Sequence, residues 1–181
     1  MPDNIATIEH AFAMRSEAEK YLYTCYSYMP LDHHPENNPA LMGGDEMWAL
    51  TQSPIWEFDH RLFQLARGYQ TSNNPVGNFI WDDMYRSLRD CNIFLENVNS
   101  VPDLEEYEKK QWIGEVKFLK AYYHFYLVRM YGAIPLVKEN LSIEASTAEA
   151  RVSRDPVDSC FAYIARLLYE AQENLQLVQD N

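Results

Sequence analysis

The sequence predicts an all-α protein, built of helical hairpins with long irregular loops. Apolar residues return at three- and four-residue spacing through every long regular stretch. Strand is a marginal reading, limited to one short piece at residues 134–137, and clusters of Pro, Asn and Gly separate the helical stretches.

Residues 7–12 add an early turn or short helix. A longer helix follows over residues 15–28, where Ser16 and Glu19 have the spacing of a capping box and Ala18, Leu22, Cys25 and Tyr26 form the apolar face. The stretch PLDHHPENNPALMGG has no sustained period and reads as a long loop. Residues 46–68 mix Trp48, Trp56, Phe58 and Phe63 with a helix-interrupting Pro54, predicting short elements and loop. The polar loop YQTSNNPVGN then leads into a helix over residues 79–98, with Trp81, Met84, Tyr85, Leu88, Cys91, Leu95 and Val98 on its core face.

After a turn at Asn99, Ser100 and Pro102, the next helix starts near Pro102 or Asp103 and runs through LEEYEKKQ into WIGEVKFLKAYYHFYLVRMYGAIP. At ~100° per residue, Trp112, Val116, Leu119, Tyr123, Tyr126 and Met130 fall on one stripe. Phe118, Ala121, Phe125 and Val128 fall on a second. Glu115 and Arg129 fill one lane between the stripes, and Lys117, Lys120 and His124 the other. Such a helix is covered on two sides. Gly132 can adopt the positive φ that ends a helix, and Pro135 cannot continue one. Residues 133–151 are then extended, with a short strand expected at 134–137. Asp155 is the expected N-cap of a last helix with Pro156 at its first position, and Val157, Cys160, Phe161, Ile164, Leu167, Leu168, Ala171 and Leu175 form its face.

A chain of 181 residues with 47% apolar content suits one domain with a full core, residues 1–181. Acidic residues outnumber basic ones by 27 to 15, and the net charge of −12 repels phosphate backbones and anionic lipids, which argues against nucleic acid as a partner. Cys25, Cys91 and Cys160 are far apart in sequence, odd in number and set among apolar residues, the pattern of buried free thiols. No apolar run approaches the ~20 residues that span a bilayer. The start MPDNIATIEHAF lacks a basic segment followed by an apolar one, so either the protein is cytosolic or Met1 is not the native start.

The sequence has no G-x-S-x-G, H-E-x-x-H, P-loop or Rossmann glycine pattern, and no cofactor or metal is expected. His33 and His34, with Asp32 and Glu36, are adjacent residues that point apart and read as a solvated loop. Asp45 and Glu46 beside Gly43 and Gly44 do not follow a calcium-loop spacing. Asp82 and Asp83 sit at a helix start, where the helix dipole favours acids. The loops do combine aromatic and amide residues: Trp48, Gln52, Trp56, Tyr69, Gln70, Asn73, Asn74 and Asn78. Sugar rings lay their apolar faces on indole and phenol rings, and their hydroxyls suit amides, so this mix fits a shallow carbohydrate surface. Loop Trp and Tyr also fold back onto cores, and that structural reading stands beside the binding one.

Helices joined by short turns suggest antiparallel pairs, and the Ala121 to Phe125 spacing echoes the A-x3-F of the tetratricopeptide pattern without its ~34-residue period. The prediction is tetratricopeptide-like packing, not a regular solenoid.

The segment GEVKFLKAYYHFYLVRMYGAIPLV, residues 114–137, resembles the signature of the SusD/RagB family. There, a Gly-Glu-Ala-x-Phe-Leu-Arg-Ala core precedes an aromatic run and a Tyr-Gly-x-x-Pro-Leu stop, with Val116 and Lys120 as mild departures here. AEKYLYTCYSYMP, GGDEMW, WDDMYRSLRDCNIFLENV and SRDPVDSCFAYIARLLYEA agree as well. The resemblance implies a non-enzymatic protein that binds a glycan or peptide nutrient at the outer-membrane surface and delivers it to a TonB-dependent, SusC-like transporter. It implies the N-terminal part of such a protein, with a signal peptide and lipid anchor before residue 1 as the sole membrane attachment and a long C-terminal part after Asn181. Ligand contacts are then expected after Asp45 and Glu46, first at Trp48, Gln52 and Trp56, second at Tyr69, Asn73 and Asn74. With that C-terminal part missing, one face of the long helix is expected to lose cover and associate with a partner. An intracellular tetratricopeptide-type adaptor that binds a peptide or protein is the alternative function, and a helical glycoside hydrolase a more distant one.

Overall fold

The computed structural model describes residues 8–31, 38–45, 63–66, 68, 69, 71, 73, 78–142, 144–146, 148, 149 and 151–175. These form α1 (Ile8–Ala11), α2 (Arg15–Ser27), α3 (Pro39–Met42), α4 (Phe63–Ala66), α5 (Asn78–Asn97) with a 3-10 turn at Val98–Ser100, α6 (Glu106–Tyr131) and α7 (Val157–Gln172). The class is all-α, as expected, with no strand among the described residues. The chain divides into two compact units, Met1–Tyr28 with Asp83–Asn181, and Met29–Asp82.

In the first unit α6 is the inner helix. Gly114 lies against Ala171, Asn174 and Leu175, Lys117 pairs with Glu170, and the His124 ring meets Tyr163, so α7 runs antiparallel to α6. Arg15 meets Glu108 and Trp112, while Tyr26 and the Cys25 carbonyl meet Glu115 and Tyr123, so α2 runs with α6. On its other side α2 packs antiparallel to α5: the Phe12 and Phe94 rings lie 5.9 Å apart just beyond its start, and the Tyr21 and Tyr28 hydroxyls both donate to Asp90, at 3.2 and 2.7 Å. Cys25, Cys91 and Cys160 are free and buried, as expected.

Helix ends differ from the sequence expectation where a side chain has a tertiary partner. The Ser16–Glu19 capping box does not form: Met14 is the N-cap, in extended conformation without a side-chain bond, and Ser16 lies inside the helix. The Arg15 amide instead donates to Asp103 Oδ1 at 2.6 Å. That engagement keeps Asp103 out of α6, which starts at Glu106 after an extended Glu105, later than expected. Its C-terminus follows the expectation, with Gly132 at φ +71° donating its amide to the Val128 carbonyl. Asp155 does not cap α7; its carboxylate accepts the Leu136 amide at 2.9 Å and its own amide donates to Ile134 O. Pro156 is the N-cap. These bonds also explain the missing strand at 134–137: its amides pair with Asp155 and His124, not with a neighbouring strand.

Burial along α6 follows the first stripe, from Trp112 to Tyr126, and departs from the second. Ala121 and Val128 are buried, but Phe118 and Phe125 are 42% and 39% exposed. Lys120 and His124, assigned to a polar lane, lie beneath α7 and the 134–138 segment at 4% and 0% exposure. On α7 the buried line is Cys160, Tyr163, Ile164, Leu167 and Ala171, whereas Val157, Phe161 and Leu168 are exposed. On α5, Ile93 and Phe94 join the core face and Trp81, Tyr85 and Leu95 are half-buried.

Candidate functional site

The second unit holds the loop residues proposed from sequence. Asn38 opens α3 by accepting the Ala40 and Leu41 amides at 3.0 and 3.4 Å, with Pro39 at the first helical position. Gly43 closes it, donating its amide to Pro39 O at 2.9 Å; a Cβ there would come within 2.7 Å of that same carbonyl, so the glycine fits the end of α3 itself, while Leu65 Cδ1 of α4 would lie in ordinary contact at 3.5 Å. Past α4, Gly68 takes φ +73° and donates its amide to Leu65 O at 3.0 Å. Tyr69 then stands 63% exposed, and Asn73 is exposed as well. An exposed phenol just after such a turn offers a flat apolar face with a polar rim, the surface a sugar ring can stack on. Trp48, Gln52, Trp56 and Asn74 lie outside the described residues, as do Asp32, His33, His34, Glu36 and Glu46. Among the described residues no group of three His, Cys, Asp or Glu side chains could hold a metal ion.

The titratable groups in the core of the first unit have structural partners. Lys120 Nζ donates to Lys138 O at 2.7 Å, and burial lowers its pKa. His124 Nδ1 lies 2.8 Å from Lys120 O and its Nε2 accepts the Val137 amide at 3.3 Å. This fixes the neutral tautomer with the proton on Nδ1. Burial pushes the imidazole down to about 4; the neighbouring Lys120 charge adds to this and the Lys120 carbonyl opposes it. Together these bonds bind the chain after Gly132 to the inner helix.

The first unit also carries a groove that sequence reasoning missed. It measures about 460 Å³, lies between α2 and α6, and is lined by Glu19, Leu22, Tyr23, Tyr26, Trp112 and Glu115. The Arg15 guanidinium sits 5.3 Å from the centre of the Trp112 ring and contacts Glu108 at 2.7 Å and Glu19 at 3.3 Å. This guanidinium holds the Glu108 carboxyl below its ordinary range. Glu115 accepts from the Tyr26 hydroxyl and from Gln111 Nε2, both at 3.0 Å. Tyr26 and Trp112 were legible as core residues. Their meeting across 86 residues of sequence (112 − 26) is tertiary, and only Tyr23, on the polar side of α2, marked the groove beforehand.

Helices paired around one long inner helix define a tetratricopeptide-like scaffold. The chain belongs to the SusD-like family, described as starch-binding and associating with the outer membrane, whose profile matches residues 43–180. Two SusD-like proteins of Formosa agariphila are similar to it, one 30% identical over 77 residues, which is 42% of this chain and 15% of that protein. The other is 26% identical over 102 residues, 56% of this chain and 19% of that protein. Among solved structures, a SusD-like protein from Bacteroides fragilis superposes with a TM-score of 0.77 at 24% identity, over 99% of this chain and 33% of its own. A structure described as a laminarin-binding SusD-like protein superposes at 0.75 and 23% identity, over 94% of this chain and 36% of its own. The chain thus spans about a third of the length of these structures, and at these identities the superpositions establish the fold.

Proposed function

We propose that the chain forms the N-terminal helical part of a non-enzymatic nutrient-binding protein of the outer-membrane surface. In this reading the protein is lipid-anchored, captures a glycan, or a peptide, and delivers it to a TonB-dependent, SusC-like transporter. The family match over residues 43–180 carries the reading. The exposure of Tyr69 and Asn73 supports it, since a residue that stacks on a sugar must first be open to solvent. Trp48, Gln52, Trp56 and Asn74 complete the proposed platform.

Isothermal titration against a panel of polysaccharides and peptides tests the reading, with Trp48→Ala, Trp56→Ala and Tyr69→Ala as variants. Each aromatic truncation is expected to weaken glycan binding by about fivefold or more, from ~1 kcal/mol of ring stacking lost. Absence of binding across the whole panel would remove the glycan reading, and binding that all three variants retain would place the platform elsewhere.

A further inference from the structure

We propose that the groove between α2 and α6 seats a lysine or arginine side chain from a partner polypeptide. The Glu115 carboxylate is half-buried, and both its oxygens accept from neutral groups, Tyr26 Oη and Gln111 Nε2. No basic side chain of the described residues forms an ion pair with it, so a carboxylate faces a 460 Å³ opening with its charge unbalanced. The walls are aromatic. Tyr23 is 63% exposed, and its ring with that of the half-buried Tyr26 supplies faces that attract a cation, beside a buried Trp112.

The adjoining end of the same groove shows this chemistry already in use within the chain. There the Arg15 guanidinium lies over the Trp112 ring and is bonded by the carboxylates of Glu108 and Glu19. Glu115, Tyr26 and Tyr23 repeat the combination of acid and ring with no cation supplied among the described residues. Glu19 and Glu115 at the rim repel anions, and the net charge of −12 steers a basic partner segment toward the surface. The site uses none of the loop residues proposed to contact a glycan, so it stands or falls independently of that platform.

Fluorescence anisotropy with a labelled, end-capped peptide of three alternating Gly-Arg pairs tests the proposal, with the Gly-Glu counterpart as control. The basic peptide is expected to bind at low ionic strength and the acidic one not to bind. Glu115→Gln, which keeps the shape of the side chain, is expected to weaken binding by about tenfold. Tyr23→Ala, at an exposed position that leaves the fold intact, should weaken it severalfold. Glu106→Gln removes the same unit of charge from an exposed position off the groove and is expected to leave binding unchanged. Equal losses in Glu115→Gln and Glu106→Gln would show attraction to net charge alone and overturn the site, as would full binding by Tyr23→Ala or displacement of the peptide by a neutral polysaccharide.

Discussion

His124 gives a sharp test of how the inner helix is held. Its ring is fully buried, lies edge-on to Tyr163 at 5.2 Å, and uses both nitrogens: one donates to Lys120 O and the other accepts from Val137. Protonation would remove the acceptor and place a charge beside Lys120. Burial first, with the Lys120 charge adding to it against the opposing Lys120 carbonyl, brings the folded-state value down to about 4, against 6.5 for an ordinary imidazole. Between these values the unfolded chain binds a proton that the folded chain refuses. Stability is thus fully present above pH 6.5 and falls as the pH drops toward 4, by about 3 kcal/mol at ~1.4 kcal/mol per pH unit. His124→Gln cannot titrate. It is expected to be less stable than wild type at pH 7.5 by about 1–2 kcal/mol from imperfect hydrogen bonds. That deficit should shrink and reverse as the pH approaches 4, where the wild type alone carries the histidine penalty. Urea unfolding followed by circular dichroism at pH steps reads this directly, because the common titration of carboxylates cancels in the difference. A difference that stays constant from pH 7.5 to 4 would refute the neutral buried imidazole.

Further outcomes follow from packing. Gly114→Val is expected to destabilise by about 2 kcal/mol, roughly 4–8 °C in Tm, because a Cβ already meets Ala171 O at 3.1 Å and Asn174 Cβ at 3.1 Å; thermal denaturation checks it. Tyr85→Phe leaves Pro135 O without its 2.9 Å donor and should cost about 1 kcal/mol in urea unfolding. Phe118 and Phe125 leave an apolar strip on α6 open, so the chain is expected to bind a hydrophobic dye or self-associate in light scattering, and Phe118→Ser with Phe125→Ser to reduce both. A clean monomer that binds no dye would contradict this.

Much of the scaffold was legible because local chemistry and tertiary packing agree there. Trp112, Val116, Leu119, Tyr123 and Tyr126 repeat at helical spacing and are buried on one side of α6, and Gly132 stops the helix at a positive φ. Legibility failed where a long-range partner overrode a local preference. Ser16 and Asp155 are good caps by residue type, but the start of α2 is satisfied by Asp103, and Asp155 is drawn to the Leu136 amide. Lys120 and His124 read as a solvated lane because charge usually signals water. What decides their burial is the carbonyl of Lys138 and the amide of Val137, brought over them by the chain beyond Gly132. The candidate loops offered only residue types, with no period to place one side chain against another; Tyr69 and Asn73 are exposed as proposed contacts must be, and Trp48, Gln52, Trp56 and Asn74 lie outside the described residues. The α2–α6 groove escaped notice because its aromatic residues were also good core residues.

The most direct test of capture without catalysis is native gel electrophoresis of the protein through gels containing a neutral polysaccharide such as laminarin or starch, followed by assay of the same mixtures for new reducing ends. The account predicts retardation by at least one polysaccharide, weakened in Trp48→Ala or Trp56→Ala, with no reducing ends released over a day. Unretarded migration in every polysaccharide, or a steady release of reducing ends, would contradict it.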